Sequence, residues 1–337
     1  MVVENLVKLI INKGGGVIQP LFINEYETTK GTGMCNPSLL YHEGKLLMNL
    51  RHVEYTLFVC HKFQSMNQGP VSYYHRDDDC TLRTNNYLCE LDPSSLEIMS
   101  YEKIDTSKLD VKPIWTFIGL EDGRLINWDD KLYLCGVRRD TNTEGRGRME
   151  FSEIVDGKEV SRHRIEPPSA NSYCEKNWMP ILDKPFHFVK WTNPVEVVKV
   201  DIDTLSSKQI HLHTHIPNVS KYDLRGGTPL IRWDKDTYIS IVHECHFIPK
   251  NNLGFKDSIY RHRFILWDST DFSVKLISGD FNFMTAEIEF CIGMEVIDSE
   301  VIIAFSYQDN CSYAIKTSKE FINDFIWTQS KPSYLHS

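Results

Sequence analysis

The chain has 337 residues, 41% hydrophobic and 25% charged, with a formal net charge of −9. That length suits one large or two ordinary domains, and the composition is that of a globular protein. The acidic balance argues against a nucleic-acid partner, which asks for a basic surface, and no apolar run approaches the ~20 residues of a membrane-spanning helix.

The first element in chain order is a short helix over Asn5 to Ile11, in a stretch too short and too interrupted by charge for a signal peptide. From there the pattern is that of strands: short alternating or apolar runs separated by Gly, Pro, Asn and Asp. They fall at Lys45 to Leu50, Lys131 to Val137, His187 to Trp191, Thr237 to Val242, His262 to Trp267 and Val301 to Tyr307. A second short helix is expected at Lys319 to Phe325. The nine cysteines are scattered singly, with no Cys-x-x-Cys pair, which reads as reduced thiols in a cytoplasmic protein.

The strand runs group into units of comparable form: a polar or Gly-containing turn, an apolar strand, then a second strand. Asn36-Pro37-Ser38 leads into Lys45 to Arg51. Glu121-Asp122-Gly123-Arg124 leads into Lys131 to Arg138, and Lys176-Asn177-Trp178 into Phe186 to Trp191. Gly226-Gly227-Thr228-Pro229 leads into Thr237 to His243, and Cys291-Ile292-Gly293 into Val301 to Gln308. A multi-strand unit recurring at this spacing predicts a β-propeller. The expected fold is all-β, a single-domain five-bladed β-propeller with blades at roughly 36–92, 119–166, 171–205, 225–280 and 290–330. The inner strands would then carry their turn residues to one mouth of a central channel.

The turn Gly119-Leu120-Glu121-Asp122-Gly123-Arg124 resembles the Glu-Asp-Pro-Arg motif of glycoside hydrolase family 130, with Gly123 in place of the proline. Arg83-Thr84-Asn85-Asn86-Tyr87-Leu88 with Leu91-Asp92, Gly226-Gly227-Thr228-Pro229 followed by His243, and Phe305-Ser306-Tyr307-Gln308-Asp309 resemble further motifs of that family in the same order. Lys176-Asn177-Trp178 matches its third-blade pattern in part. The resemblance runs from about Asn36 to Asn310. It implies a five-bladed propeller related to mannoside phosphorylases, mannosidases and mannosyltransferases, with Asp122 as the general acid and no cofactor.

The residues allow that chemistry. Glycosidic cleavage needs a proton for the leaving oxygen and a nucleophile on the opposite face of the sugar. Glu121, beside Asp122, is expected to raise its pKa by like-charge repulsion. The rival reading is a plain Asp-Gly turn in which Arg124 pairs with Glu121. A phosphorylase also needs several donors converging on one anion; Arg51, Arg138, Arg139, Lys176, Arg225 and His243 are the candidates. Inorganic phosphate, a sugar phosphate or a nucleotide sugar would all suit them. Asn49, Asn86, Asn177 and Asp309 could bind sugar hydroxyls, and Trp178, with Trp115 as the weaker choice, could stack on an oligosaccharide ring. A hydrolase would instead need a carboxylate base opposite Asp122, for which Glu175, Glu244 and Glu289 qualify. A binding module that kept the propeller and lost catalysis is the third possibility, and the Gly123 departure favours it.

Other patterns are better read as structural. Asp77-Asp78-Asp79 sits in a polar loop and reads as a solvated acidic turn, not a metal site. His211, His213 and His215 share one strand face by their period of two, and an exposed polar face is the simpler account than zinc. His243-Glu244-Cys245-His246 lacks the spacing of a zinc-protease helix. No metal is expected.

Overall fold

The computed structural model describes residues 3–24, 33–57, 63–68, 71–76, 81–169, 172, 174–213, 223–247 and 258–330. Asp77, Asp78, Asp79 and His215 lie outside the described residues. The architecture is all-β and propeller-like, built of six antiparallel or mixed sheets of seven, five, four, four, four and three strands.

The alternating runs became strands close to their expected limits. Lys45–Val53 pairs along its length with Gly33–His42 on one side and Leu82–Leu91 on the other. The second sheet is a meander of Glu121–Trp128, Lys131–Arg138, Arg148–Val155 and Lys158–Arg164. The third runs Met179–Pro180, His187–Thr192, Val195–Val200 and Ser207–His213. The seven-stranded sheet is centred on Thr237–Phe247 and Ser258–Asp268, paired in unbroken register over eleven residues. The last four-stranded sheet holds Glu289–Ile297, Glu300–Tyr307 and Cys311–Ser318. The three-stranded sheet of Tyr55–Thr56, Phe63–Gln68 and Val71–Arg76 is an insertion between the second and third strands of the five-stranded sheet.

Neighbouring sheets are joined by specific hydrogen bonds. Leu125 N donates to Ser38 Oγ (3.0 Å), Trp128 Nε1 to Ile181 O (3.2 Å) and Leu230 N to Pro180 O (2.9 Å). Tyr260 N donates to Glu287 O (2.8 Å) and Met34 N to Asn310 O (3.0 Å), so the last sheet meets the first. The chain start helps to close the arrangement. Val17–Leu21, ahead of the first expected unit, is the outer strand of the last sheet, in register from Val17 with Lys316 to Leu21 with Ser312.

The N-terminal helix is one α-turn, Leu6–Leu9, followed by a π-helical turn, Ile10–Gly14. The Asn5 side chain caps it by accepting from Lys8 N at 2.9 Å. Its Leu6, Val7 and Ile10 are buried with Ile322, Phe325 and Ile326 of the C-terminal helix, Lys319–Ser330. The two helices therefore pack on the same apolar cluster, with Phe264, Phe281, Phe283 and Phe305. The seven described cysteines are all free thiols.

Candidate active site

Three residues at equivalent turns share an unusual backbone. Asn36, Asp122 and Asn177 have φ of 52°, 54° and 62°, a left-handed conformation that Asn and Asp tolerate better than other side chains. The first two sit in β-bulges, where the pairing slips between Cys35 and Ser38 and between Glu121 and Arg124. A bulge adds a residue to one strand and re-aims its side chain. All three residues line one cavity of about 90 Å3. The backbones around it are pressed together: a Cβ on Gly226 would lie 2.0 Å from Asn177 O, and one on Gly293 would lie 2.6 Å from Pro37 O.

Asp122 is 5% exposed. Its Oδ1 accepts from Asn36 Nδ2 at 2.6 Å and from Arg51 Nη1 at 2.7 Å, while Oδ2 has no donor among the described residues. Burial would raise its pKa, but Arg51, Lys176, the Asn36 hydrogen bond and Arg124 outweigh it and hold the carboxyl at about 2. The expectation that Glu121 raises the Asp122 pKa is therefore corrected. Glu121 lies between two guanidinium groups, Arg51 Nη2 at 3.7 Å and Arg139 Nε at 3.8 Å, and the cations dominate the field. Arg124 does not pair with Glu121 either. Fully buried, it donates to Gly227 O (2.8 Å) and to Asp122 O (3.0 Å), fixing the bulge from beneath.

The cavity collects Asp122, Glu121, Arg51, Arg139, Lys176, Arg225, His243, Asn177 and Asp309 from the sequence candidates. Four are cationic and three anionic, a local cationic excess in a chain of net charge −9. Their states of engagement differ. Arg51 is committed to Asp122, Tyr55 and Thr84, with Nη2 donating to Tyr55 Oη at 3.0 Å and Nε to Thr84 Oγ1 at 3.2 Å. Arg139 reaches Cys174 Sγ at 3.3 Å and lies over the Phe117 ring, and Arg225 reaches Asp223 at 3.3 Å. Lys176 is half-buried and makes no hydrogen bond or ion pair among the described residues. Burial pushes His243 well below the ordinary imidazole range, helped by His262, Arg225, Lys176 and Arg124. It is a neutral donor-acceptor whose Nδ1 has no partner among the described residues. The same holds for Asn177 Oδ1.

Five sequence candidates lie elsewhere. Asn49 is fully buried and donates to Asn86 Oδ1 (3.0 Å) and Gly123 O (3.1 Å), while Asn86 donates to Leu120 O (3.0 Å). Both are spent holding the Asp122 turn to the first sheet. Trp178 is a core side chain, 1% exposed, whose Nε1 donates to Glu175 Oε2 at 3.0 Å. Trp115 packs on the Val53, Tyr55 and Phe117 cluster. Arg138 turns away from the cavity and pairs with Glu150 at 2.8 Å; strand alternation sends its neighbour Arg139 in instead. The three proposed bases are also engaged elsewhere. Glu175 holds Trp178, Glu244 holds Arg263 at 2.6 Å, and Glu289 accepts three backbone N–H groups. None of them lines the cavity.

The sequence reading passed over Asn36 as a site residue, although its Asn-Pro turn stands at the position of Glu121-Asp122 in the repeat. It also missed the aromatic wall of Tyr55, Tyr73, Phe117, Tyr260 and Phe290, whose positions follow from tertiary contacts with no local pattern. His211 and His213 do share a strand face, with rings 6.3 Å apart, and His213 Nε2 lies 2.7 Å from Asp271 O.

No protein-family model and no curated protein matches the sequence. Solved structures do. The chain is similar to a β-1,2-mannobiose phosphorylase from Listeria innocua in complex with β-1,2-mannobiose (TM-score 0.61, 13% identity, 93% of this chain and 97% of that one). It is also similar to a mannose phosphorylase from Leishmania mexicana in complex with phosphate ion (TM-score 0.56, 11% identity, 94% and 92%). A third is from the GH130 family of mannoside phosphorylases, which contains hydrolases that target β-1,2 mannosidic linkages in Candida mannan (TM-score 0.56, 15% identity, 84% of each chain). The chain thus shares, at low identity, the fold of mannoside phosphorylases and glycoside hydrolases of the GH130 type.

Proposed function

We propose that this chain is a carbohydrate-active enzyme that transfers a mannosyl group between a sugar acceptor and phosphate or a phosphorylated donor. In this reading the five sheets of four or more strands are its blades, at roughly 36–92, 119–166, 171–205, 225–280 and 290–330. The observation that carries the reading is one bulge-mounted carboxyl, Asp122, sharing a cavity of cationic excess with Lys176, a cation that has no ion-pair partner among the described residues.

The phosphate would sit against Lys176, Arg139, Arg225 and His243. One of its oxygens forms the bond to the anomeric carbon as the glycosidic C–O bond breaks, and Asp122 gives a proton to the leaving oxygen from the opposite face, with inversion. The balance closes through solvent: Asp122, ionised in the free site, takes up a proton as the anion binds and gives it to the leaving oxygen, and the proton that monohydrogen phosphate loses on forming the ester returns to solvent. At about 90 Å3 the cavity is below the ~300 Å3 of a typical small-molecule site, so it suits the reacting groups at the floor of a longer binding path.

Two observations weigh against the rival readings. A hydrolase needs a base opposite Asp122; Glu175, Glu244 and Glu289 are occupied elsewhere, and the two other carboxylates of the cavity, Glu121 and Asp309, sit among its four cations. The Gly123 departure has a packing reason, since a Cβ there would lie 2.8 Å from the Leu134 side chain, so loss of catalysis is not needed to explain it. The test is product analysis of mannoside oligosaccharides with and without phosphate. Phosphate-dependent release of mannose 1-phosphate, lost in Asp122→Asn with sugar binding kept, is the expected result. Release of free mannose regardless of phosphate would establish hydrolysis instead, and full activity in Asp122→Asn would remove Asp122 from the acid role.

A further inference from the structure

A second, larger cavity of about 510 Å3 lies between the first two sheets, inside the ~300–1,000 Å3 range of small-molecule sites. Its floor carries buried charged groups, which are costly unless paired or used. Arg138 is 3% exposed and saturated: Nε donates to Glu150 at 2.8 Å, Nη1 lies 3.5 Å from Asp140 and Nη2 3.6 Å from Glu159. Arg162 donates to Glu159 Oε1 at 3.0 Å and to Leu109 O at 3.1 Å. No buried guanidinium fork is left here for an anion, unlike Lys176 in the first cavity. The lining charges balance, with Arg83, Lys103, Arg138 and Arg162 against Asp105, Asp110, Asp140 and Glu159. Asp140, 6% exposed, accepts from Gly119 N through Oδ2 at 2.8 Å, while its Oδ1 has no donor among the described residues.

We propose that this cavity is a second binding site, for a neutral, hydroxyl-rich ligand of about disaccharide size. A polyol supplies both donors and acceptors, which suits a wall of paired charges plus an acceptor in need of a donor. An anion would find no net field there, and an apolar ligand would strand the polar floor. The site stands apart from the Asp122 cavity yet touches its framework, because Thr84 lines it and accepts from Arg51 at 3.2 Å.

The test is equilibrium dialysis of labelled mannobiose, without phosphate, against the native chain and two variants. Val111→Trp fills the second cavity from its rim, at a residue 62% exposed, so that folding is not at risk. Lys176→Trp fills the first, from a half-buried residue with ordinary backbone. Binding that survives Lys176→Trp and falls at least tenfold in Val111→Trp is the expected result, whether or not the first cavity also binds. Binding unaffected by Val111→Trp, or no binding in either protein, overturns the proposal. Inorganic phosphate bound by Lys176→Trp and displaced by adding Val111→Trp overturns the neutral class of ligand.

Discussion

Asp122 and Arg51 lie 71 residues apart in sequence and meet at 2.7 Å in the cavity. Each depends on the other: the buried carboxylate needs the cation, and the guanidinium is held in place by Asp122, Tyr55 and Thr84. The pair sets the charge state in which the acid waits for substrate.

That pair makes stability depend on pH in a defined window. Asp122 titrates at about 2 in the fold against ~3.9 for an unfolded Asp. A depressed carboxyl stabilises the fold above its unfolded pKa and loses that stabilisation as pH falls through the folded one. The full effect is about 2 kcal/mol, of which about 1 kcal/mol should go between pH 5 and pH 3 and the rest below. Urea unfolding of the native chain and of Asp122→Asn, compared across that range, should show the native chain losing the extra amount. Parallel curves would mean that Arg51 does not hold the carboxyl down.

Lys176 has no hydrogen-bond or ion-pair partner among the described residues, so removing it should affect the anion more than the fold. A charge-assisted contact contributes about 1.5–3 kcal/mol. Lys176→Met should therefore raise the KM for phosphate about 10- to 100-fold while changing the KM for the sugar far less and leaving thermal unfolding near native. Equal changes in both constants would place Lys176 on the sugar instead.

The strands were legible because they are short apolar runs bounded by turn residues, and Lys45–Val53, Lys131–Arg138 and Glu300–Tyr307, buried over most of their length, each fell near their expected limits. The turn at Asp122 was legible because Asp and Gly mark a bend. What could not be read was engagement. Arg51, Arg138 and Lys176 look alike in a sequence, yet one clamps the acid, one pairs with Glu150 and one has no partner among the described residues. Asn49 and Asn86 lie near the site in sequence terms, but the pleat turns their amides inward to hold the Asp122 turn. The clustering of Tyr55, Tyr73, Tyr260 and Phe290 depends on sheets far apart in the chain, and no local periodicity encodes it.

Gly123 marks the departure from the Glu-Asp-Pro-Arg pattern, and its neighbour Leu134 gives the reason. A Cβ at 123 would meet three Leu134 atoms at 2.8 to 3.1 Å, in a core where Leu134 is 2% exposed. Gly123→Ala should cost about 1–3 kcal/mol by overpacking. Leu134→Ala alone should cost about 2–5 kcal/mol through its cavity. The double variant should be less destabilised than the sum by more than 1 kcal/mol, because one change makes room for the other. Strict additivity in chemical denaturation would show that the two side chains do not compete for the same space.

Anion binding should raise the Asp122 pKa. Lys176 and Arg124 help hold the carboxyl near 2, and an anion seated against Lys176 both neutralises that field and adds a negative charge near Asp122. By linkage, binding must then take up protons. Sulfate separates this effect from the ligand's own titration, since it carries no titratable proton between pH 4 and 7. Calorimetry of sulfate binding at pH 4, run in buffers of different ionisation enthalpy, should show uptake of a fraction of a proton by the native chain and none by Asp122→Asn. Uptake of equal size in both proteins would assign the proton to another group. No uptake in either would mean that the anion sits too far from Asp122 to prime it as an acid, and the proton for the leaving oxygen would then have to come from the sugar or from phosphate directly.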